Sequence, residues 1–161
     1  MFIYSVRAST VKFVAFILLV VAALFGVVAF GDSQTVLTSA DGSVNYGGVQ
    51  TNEDRVRFIE SFGIRVDDTP LEEHSFTMPQ DFDLVIKGYD QLQKMQGLSL
   101  EKYARKKVTR YTYTVTNYKD SGAVFANLIV YRGRIIACDL SGGESDGFVI
   151  PLTKVDTAKL A

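Results

Sequence analysis

The chain has 161 residues, of which 47% are hydrophobic, 22% charged and 12% aromatic, proportions that exclude a disordered chain. Its 17 basic and 18 acidic residues nearly cancel and give no strong basic field for nucleic acid. A single cysteine excludes an internal disulfide framework. One cysteine with one histidine excludes the common zinc ligand sets.

Residues 13–30, FVAFILLVVAALFGVVAF, carry no charged or strongly polar group. As a helix they span about 27 Å, close to the hydrocarbon thickness of a bilayer. Arg7 and Lys12 precede the run and Asp32 follows it. The positive-inside rule therefore predicts a cytoplasmic N-terminus over 1–12, a transmembrane helix or signal anchor over 13–30, and an extracytoplasmic remainder. Without Arg7 and Lys12 that remainder holds 15 basic against 18 acidic residues. Ala29-Phe30-Gly31 loosely fits the small-x-small rule, so a secreted domain released by signal peptidase near Gly31 is the alternative. The length of the run favours the anchor.

Residues 31–50 are rich in Gly, Ser, Thr, Asp and Asn and read as a linker. An exported domain then follows over 51–152, with 153–161 as a C-terminal tail. Its first helix is announced by Thr51 as N-cap with Asp54 three residues on. Val56, Ile59 and Phe62, flanked by Phe58, form an apolar stripe, and Gly63 stops the helix. Residues 64–66 read as a short strand, 67–70 as a turn and 71–78 as a second strand.

A longer helix is predicted from Gln80 or Asp81 to Gln96. Phe82, Val85, Tyr89, Leu92 and Met95 line one face of it, with Ile86 alongside. Asp81 and Asp83 suit its first turn, and Gly97 terminates it. Leu98, Leu100 and Tyr103 are packing points in the connection that follows. Beyond Lys106, Tyr111, Tyr113 and Val115 alternate with Thr112, Thr114 and Thr116 as a strand. Strands at 123–131 and 134–140 flank a two-residue turn at Arg132-Gly133, and 148–150 adds an edge strand. The expected fold is α+β, with two helices covering one face of an antiparallel sheet that ends in a three-stranded meander.

The stretches TNEDRVRFIESFG, IKGYDQLQKMQGLSLEKY, RYTYTVTNY and VFANLIVYRGRIIACDL, behind an apolar N-terminal run, resemble the bacterial family called domain of unknown function 4830. The resemblance reaches about Leu140 and brings with it no activity and no catalytic residue. In element order the helix-then-meander units are also similar to PepSY-type exported domains.

Gly143-Glu144-Ser145-Asp146-Gly147 matches the G-x-S-x-G elbow of hydrolases, but a strand pattern follows it where the elbow needs a helix. His74, the one histidine, lies before the serine and shares a strand face with Glu72. Asp139, Glu144 and Asp146 cluster too loosely for the calcium loop spacing. Tyr111 and Tyr113 suit either a stacking platform or a core. The densest charge cluster is Lys102, Arg105, Lys106, Lys107 and Arg110, a candidate contact for lipid headgroups or an anionic wall polymer.

No catalytic, metal or cofactor set emerges, and the pattern points away from an enzyme. The expected function is that of a membrane-anchored binding or sensing module at the cell envelope, facing an envelope protein or anionic polymer and not nucleic acid. The rival is an envelope hydrolase working through the carboxylates of Asp139, Glu144 and Asp146.

Overall fold

The computed structural model describes residues 43–119, 122–143 and 147–161. The apolar run 13–30 and the cleavage site near Gly31 lie outside the described residues. Among the described residues no helix is long and apolar enough to cross a membrane.

Helix α1 spans Asn52–Glu60. Thr51 and Asp54 close a capping box: the Thr51 hydroxyl accepts the Asp54 N–H, and the Asp54 carboxylate accepts the Thr51 N–H at 2.9 Å. Two helix-end donors are thus satisfied by side chains. Gly63 takes a φ of 79° just past the helix, where a side chain would be strained.

Five strands follow, β1 (Glu72–Thr77), β2 (Lys107–Thr114), β3 (Val124–Tyr131), β4 (Arg134–Gly142) and β5 (Val149–Pro151). They form one antiparallel sheet in the order β1-β2-β3-β4-β5. The sheet is therefore a continuous five-stranded meander and not one that ends in three strands. The edge strand expected at 148–150 is β5, shifted by one residue. The strand expected at 64–66 shrinks to a single bridge between Val66 and Val115. Arg132 and Gly133 take φ values of 48° and 72°, as a two-residue hairpin turn requires.

The two sheet faces carry two cores. On the front, Val56, Phe58 and Ile59 of α1 pack against Tyr113, Val124, Ala126, Leu128, Cys138 and Leu140. On the back, Val108, Ile129, Ile136 and Ala137 meet Met78 and Leu100, with Phe82 and Tyr89 alongside. Ile136 and Ala137 are adjacent yet share the back core. The register shifts between Ile129 and Val130, so one extra residue of β4 is accommodated there.

Helix α2 spans Leu84–Lys94, with Asp83 as N-cap. It lies on the back, so the helices cover opposite faces and not one. Its predicted stripe faces the sheet only in part: Phe82 and Tyr89 pack against the back core, but Val85 is 79% exposed and Met95 63%, whereas Asp90 and Gln93 are buried. Polar anchors set the roll of this helix. Asp90 accepts the Leu100 N–H at 2.6 Å and pairs with Lys94 at 2.7 Å, and Tyr89 donates to Asp139 at 2.5 Å. Charge-assisted bonds of this kind outweigh the small gain from burying one valine.

The outer edge of β4 is covered piecewise. Val49 donates to the Gly133 carbonyl and Ile135 donates to the Tyr46 carbonyl. The Gln93 side chain accepts the Cys138 N–H at 2.9 Å and Gln96 donates to the Cys138 carbonyl at 2.6 Å. β5 covers the rest. The stretch read as linker thus joins the fold by Tyr46, and both Tyr46 and Val49 are buried. The stretch read as a tail also packs: Leu160 bridges to Tyr118 and lies against the front core.

Candidate functional site

Of the five basic residues singled out from the sequence, four stand together. Lys102 lies in the turn Glu101–Tyr103, Arg105 and Lys106 follow it, and Lys107 opens β2. All four are exposed. The turn is fixed by backbone bonds from Lys106 to Tyr103 and from Arg105 to Met78, with Met78 donating to Lys106 in return. Arg105 has a φ of 62°, a sparsely populated conformation that the two-way pairing with Met78 imposes. Its guanidinium donates to the Gln80 side-chain carbonyl. None of the four meets a carboxylate at ion-pairing distance among the described residues. Arg110 stands apart from them, because its guanidinium is paired with Glu72 at 2.8 Å.

That pair also separates Glu72 from His74. The exposed imidazole stacks on Phe76 at 5.9 Å, and its strand partner is Arg110. Glu72, occupied by Arg110, does not orient it as a base.

Asp139 is buried on the back face at the centre of a polar network. Tyr89 donates to one carboxylate oxygen and Asn127 to the other, at 2.9 Å. Asn127 also reaches Ser141, and Thr112 donates to Asn127. Burial raises the Asp139 carboxyl above the usual range, with the two hydrogen bonds and Arg110 opposing. The Tyr89 hydroxyl is raised further, by burial and by the neighbouring Asp139. With both oxygens engaged inside the fold, Asp139 serves as a structural acceptor. Glu144, Ser145 and Asp146 lie outside the described residues. Among the described residues no three His, Cys, Asp or Glu side chains gather as metal ligands.

Tyr111 and Tyr113 divide between platform and core. Tyr113 is fully buried, and its hydroxyl accepts from Arg55 Nε at 2.8 Å and donates to Asn52 at 3.0 Å. Tyr111 is half-buried, and the Arg55 guanidinium carbon lies 3.7 Å from its ring centroid. Arg55 itself is only 8% exposed. Sequence reading passes over it, since an arginine in a first helical turn signals a solvated face. Next to it a cavity of about 410 Å³ opens, lined by Arg55, Arg132, Thr109, Tyr111, Gln50 and Gly133 among others.

The fold defines an α+β domain in which a sequentially ordered five-stranded sheet is covered by one helix on each face. Residues 58–140, just over half of the chain, match the family described as Domain of unknown function (DUF4830), and the chain belongs to that family. No curated protein matches it. Nor does any solved structure.

Proposed function

We propose that this chain is a single-pass membrane-anchored protein whose extracytoplasmic domain binds phosphate-bearing anionic surface at the cell envelope. The observation that carries the reading is the group Lys102, Arg105, Lys106 and Lys107: four exposed cations within six positions, none neutralised by a carboxylate among the described residues. On a domain with more acidic than basic residues, such a concentration leaves a local positive field. The apolar run 13–30, with Arg7 and Lys12 before it, supports the anchor and its orientation. Each long side chain near an anionic surface contributes about 1 kcal/mol, and the attraction fades as the Debye length falls below about 10 Å.

The test is cosedimentation of the detergent-solubilised full chain with wall fragments, and in parallel its reconstitution beside anionic vesicles. Binding at low salt that is lost when Lys102, Arg105, Lys106 and Lys107 are all replaced by glutamine supports the reading. The two arms separate a wall polymer from lipid headgroups. Absence of binding by the unmodified protein at low salt refutes the reading. Protease added to intact spheroplasts tests the orientation, and full protection of residues 43–161 would reverse it.

A further inference from the structure

We infer that the cavity beside α1 is a binding site for a small ligand bearing an oxyanion, a carboxylate or a phosphate group, which the guanidinium of Arg55 takes end-on. This goes beyond the surface reading above, since it concerns a discrete pocket built from other residues.

Arg55 carries a charge that no carboxylate among the described residues pairs with directly; Glu53 acts on it only through space. Arg55 is 8% exposed, and a guanidinium stays ionised inside proteins. Withdrawing such a group from water without an anion is costly. Its position adds to the cost, because the first turn of α1 lies at the positive end of the helix dipole. Two other arginines with better access to water are neutralised, Arg57 by Asp54 at 2.6 Å and Arg110 by Glu72 at 2.8 Å. The buried one is not: among the described residues no carboxylate reaches Arg55 at ion-pairing distance. Glu73, which faces Tyr111 across the β1–β2 pair, is exposed and makes no such contact.

The side chain is nevertheless held. Tyr113 takes the Nε–H at 2.8 Å, and the guanidinium plane rests over Tyr111. Stacking and one hydrogen bond fix the group while leaving its two terminal nitrogens without a protein acceptor among the described residues. That is the fork which pairs bidentately with a carboxylate or phosphate. Arg55 lines the adjoining cavity, and Arg132, held at a φ of 48° in the β3–β4 turn, lines the same space. The lining combines Arg55, Arg132, whose guanidinium carbon lies 5.3 Å from the Tyr131 ring, Gln50, and Thr109, whose hydroxyl is bonded to Ser75 at 2.9 Å, and so suits a polar anion. A volume of about 410 Å³ exceeds the needs of a bare ion and lies within the range of small-molecule sites. The ligand therefore has an organic body behind its anionic head.

Isothermal titration of the full chain in detergent micelles tests the site, with inorganic phosphate and acetate as probes and acetamide as the neutral control. Saturable one-site binding of either anion, with acetamide silent, is the expected result. Acetate without phosphate assigns a carboxylate head, and the converse assigns a phosphate. Arg55→Gln should abolish the binding. Arg132→Gln, at an exposed turn, should weaken it about tenfold, the loss of one charge-assisted contact. If Arg55→Gln fails to fold, a phosphate- or acetate-dependent shift of the Arg55 Nε–H resonance in the unmodified protein reads the same contact. Replacing Lys102, Arg105, Lys106 and Lys107 by glutamine should leave this binding intact, which separates its fate from that of the surface reading. Binding of neither anion overturns the site, as does binding that survives Arg55→Gln or shifts confined to Lys102–Lys107.

Discussion

Gln93 stands in for a strand at Cys138. Its side-chain oxygen accepts the Cys138 N–H at 2.9 Å, while Gln96 donates to the carbonyl of the same residue at 2.6 Å and to Gln93 at 2.7 Å. A glutamine amide carries the same donor and acceptor as a peptide group, so the pair completes the ladder where β5 does not reach. Gln93→Leu leaves the buried Cys138 N–H without a partner. The expected loss is about 1–3 kcal/mol of folding stability, read from the midpoint of urea denaturation.

Truncation should separate the two helices' apolar residues sharply. Phe58→Ala, in α1 and fully buried, should cost about 3–5 kcal/mol. Val85→Ala, in α2 and 79% exposed, should stay within about 0.5 kcal/mol apart from helix propensity. Thermal melts of the two variants side by side measure the contrast.

What the sequence makes legible here is what is decided locally. The Thr51–Asp54 box, the stop at Gly63, the Arg132-Gly133 turn and the period-two run through Tyr113 each depend on a few neighbouring residues. What it hides is decided across the fold. Asp90, Gln93 and Gln96 lie outside the apolar stripe and carry no local signal, because their partners at Leu100 and Cys138 are fixed only once the sheet exists. The bulge at Ile129, the pairing of Tyr46 with Ile135 and the helix placement on opposite faces are hidden for the same reason. Arg55 is the clearest case in the candidate sites: its burial comes from Tyr111 and Tyr113, more than fifty positions away.

Acid should weaken the fold partly through Asp54. N–H groups of Thr51 and Gln50 hold its carboxyl down to about 2, so the unfolded chain binds the proton more readily than the folded one. Its contribution is present above the unfolded value near 3.8 and is lost as pH falls toward about 2. Asp54→Asn should be less stable than the parent at pH 7, with the gap narrowing below pH 3.8 and closing only below about pH 2, as followed by circular dichroism.

Asp139 should act in the opposite sense. Its folded-state carboxyl is raised by burial, so its contribution is full below the unfolded value near 3.8 and is lost as pH rises through the raised one. Between pH 4 and 7 the parent should lose stability relative to Asp139→Asn. A parallel pH dependence for the two proteins would remove Asp139 as the source.

Cys138 should be chemically silent in the folded protein. It is fully buried, and burial pushes its thiol up, away from the reactive thiolate. Maleimide should label it only in denaturant. Rapid labelling under native conditions would show that the β4 edge opens.

The sequential order of the strands has a kinetic consequence. Every strand pairs with the one that follows it in the chain, and apart from the β1–β2 link, which carries α2, the connections are short and close at little entropic cost. The longest closure belongs to the first described segment, where Tyr46 and Val49 meet Ile135 and Gly133 more than eighty positions on. What the ribosome makes first in this domain is therefore tied down last, after the β3–β4 hairpin has formed. Pulsed hydrogen exchange during refolding should protect the β2 and β3 amides before those of Val49 and Ile135. Until that moment the apolar side chains of Tyr46 and Val49 are open to solvent, the period in which a nascent chain is most exposed to proteases and holdases.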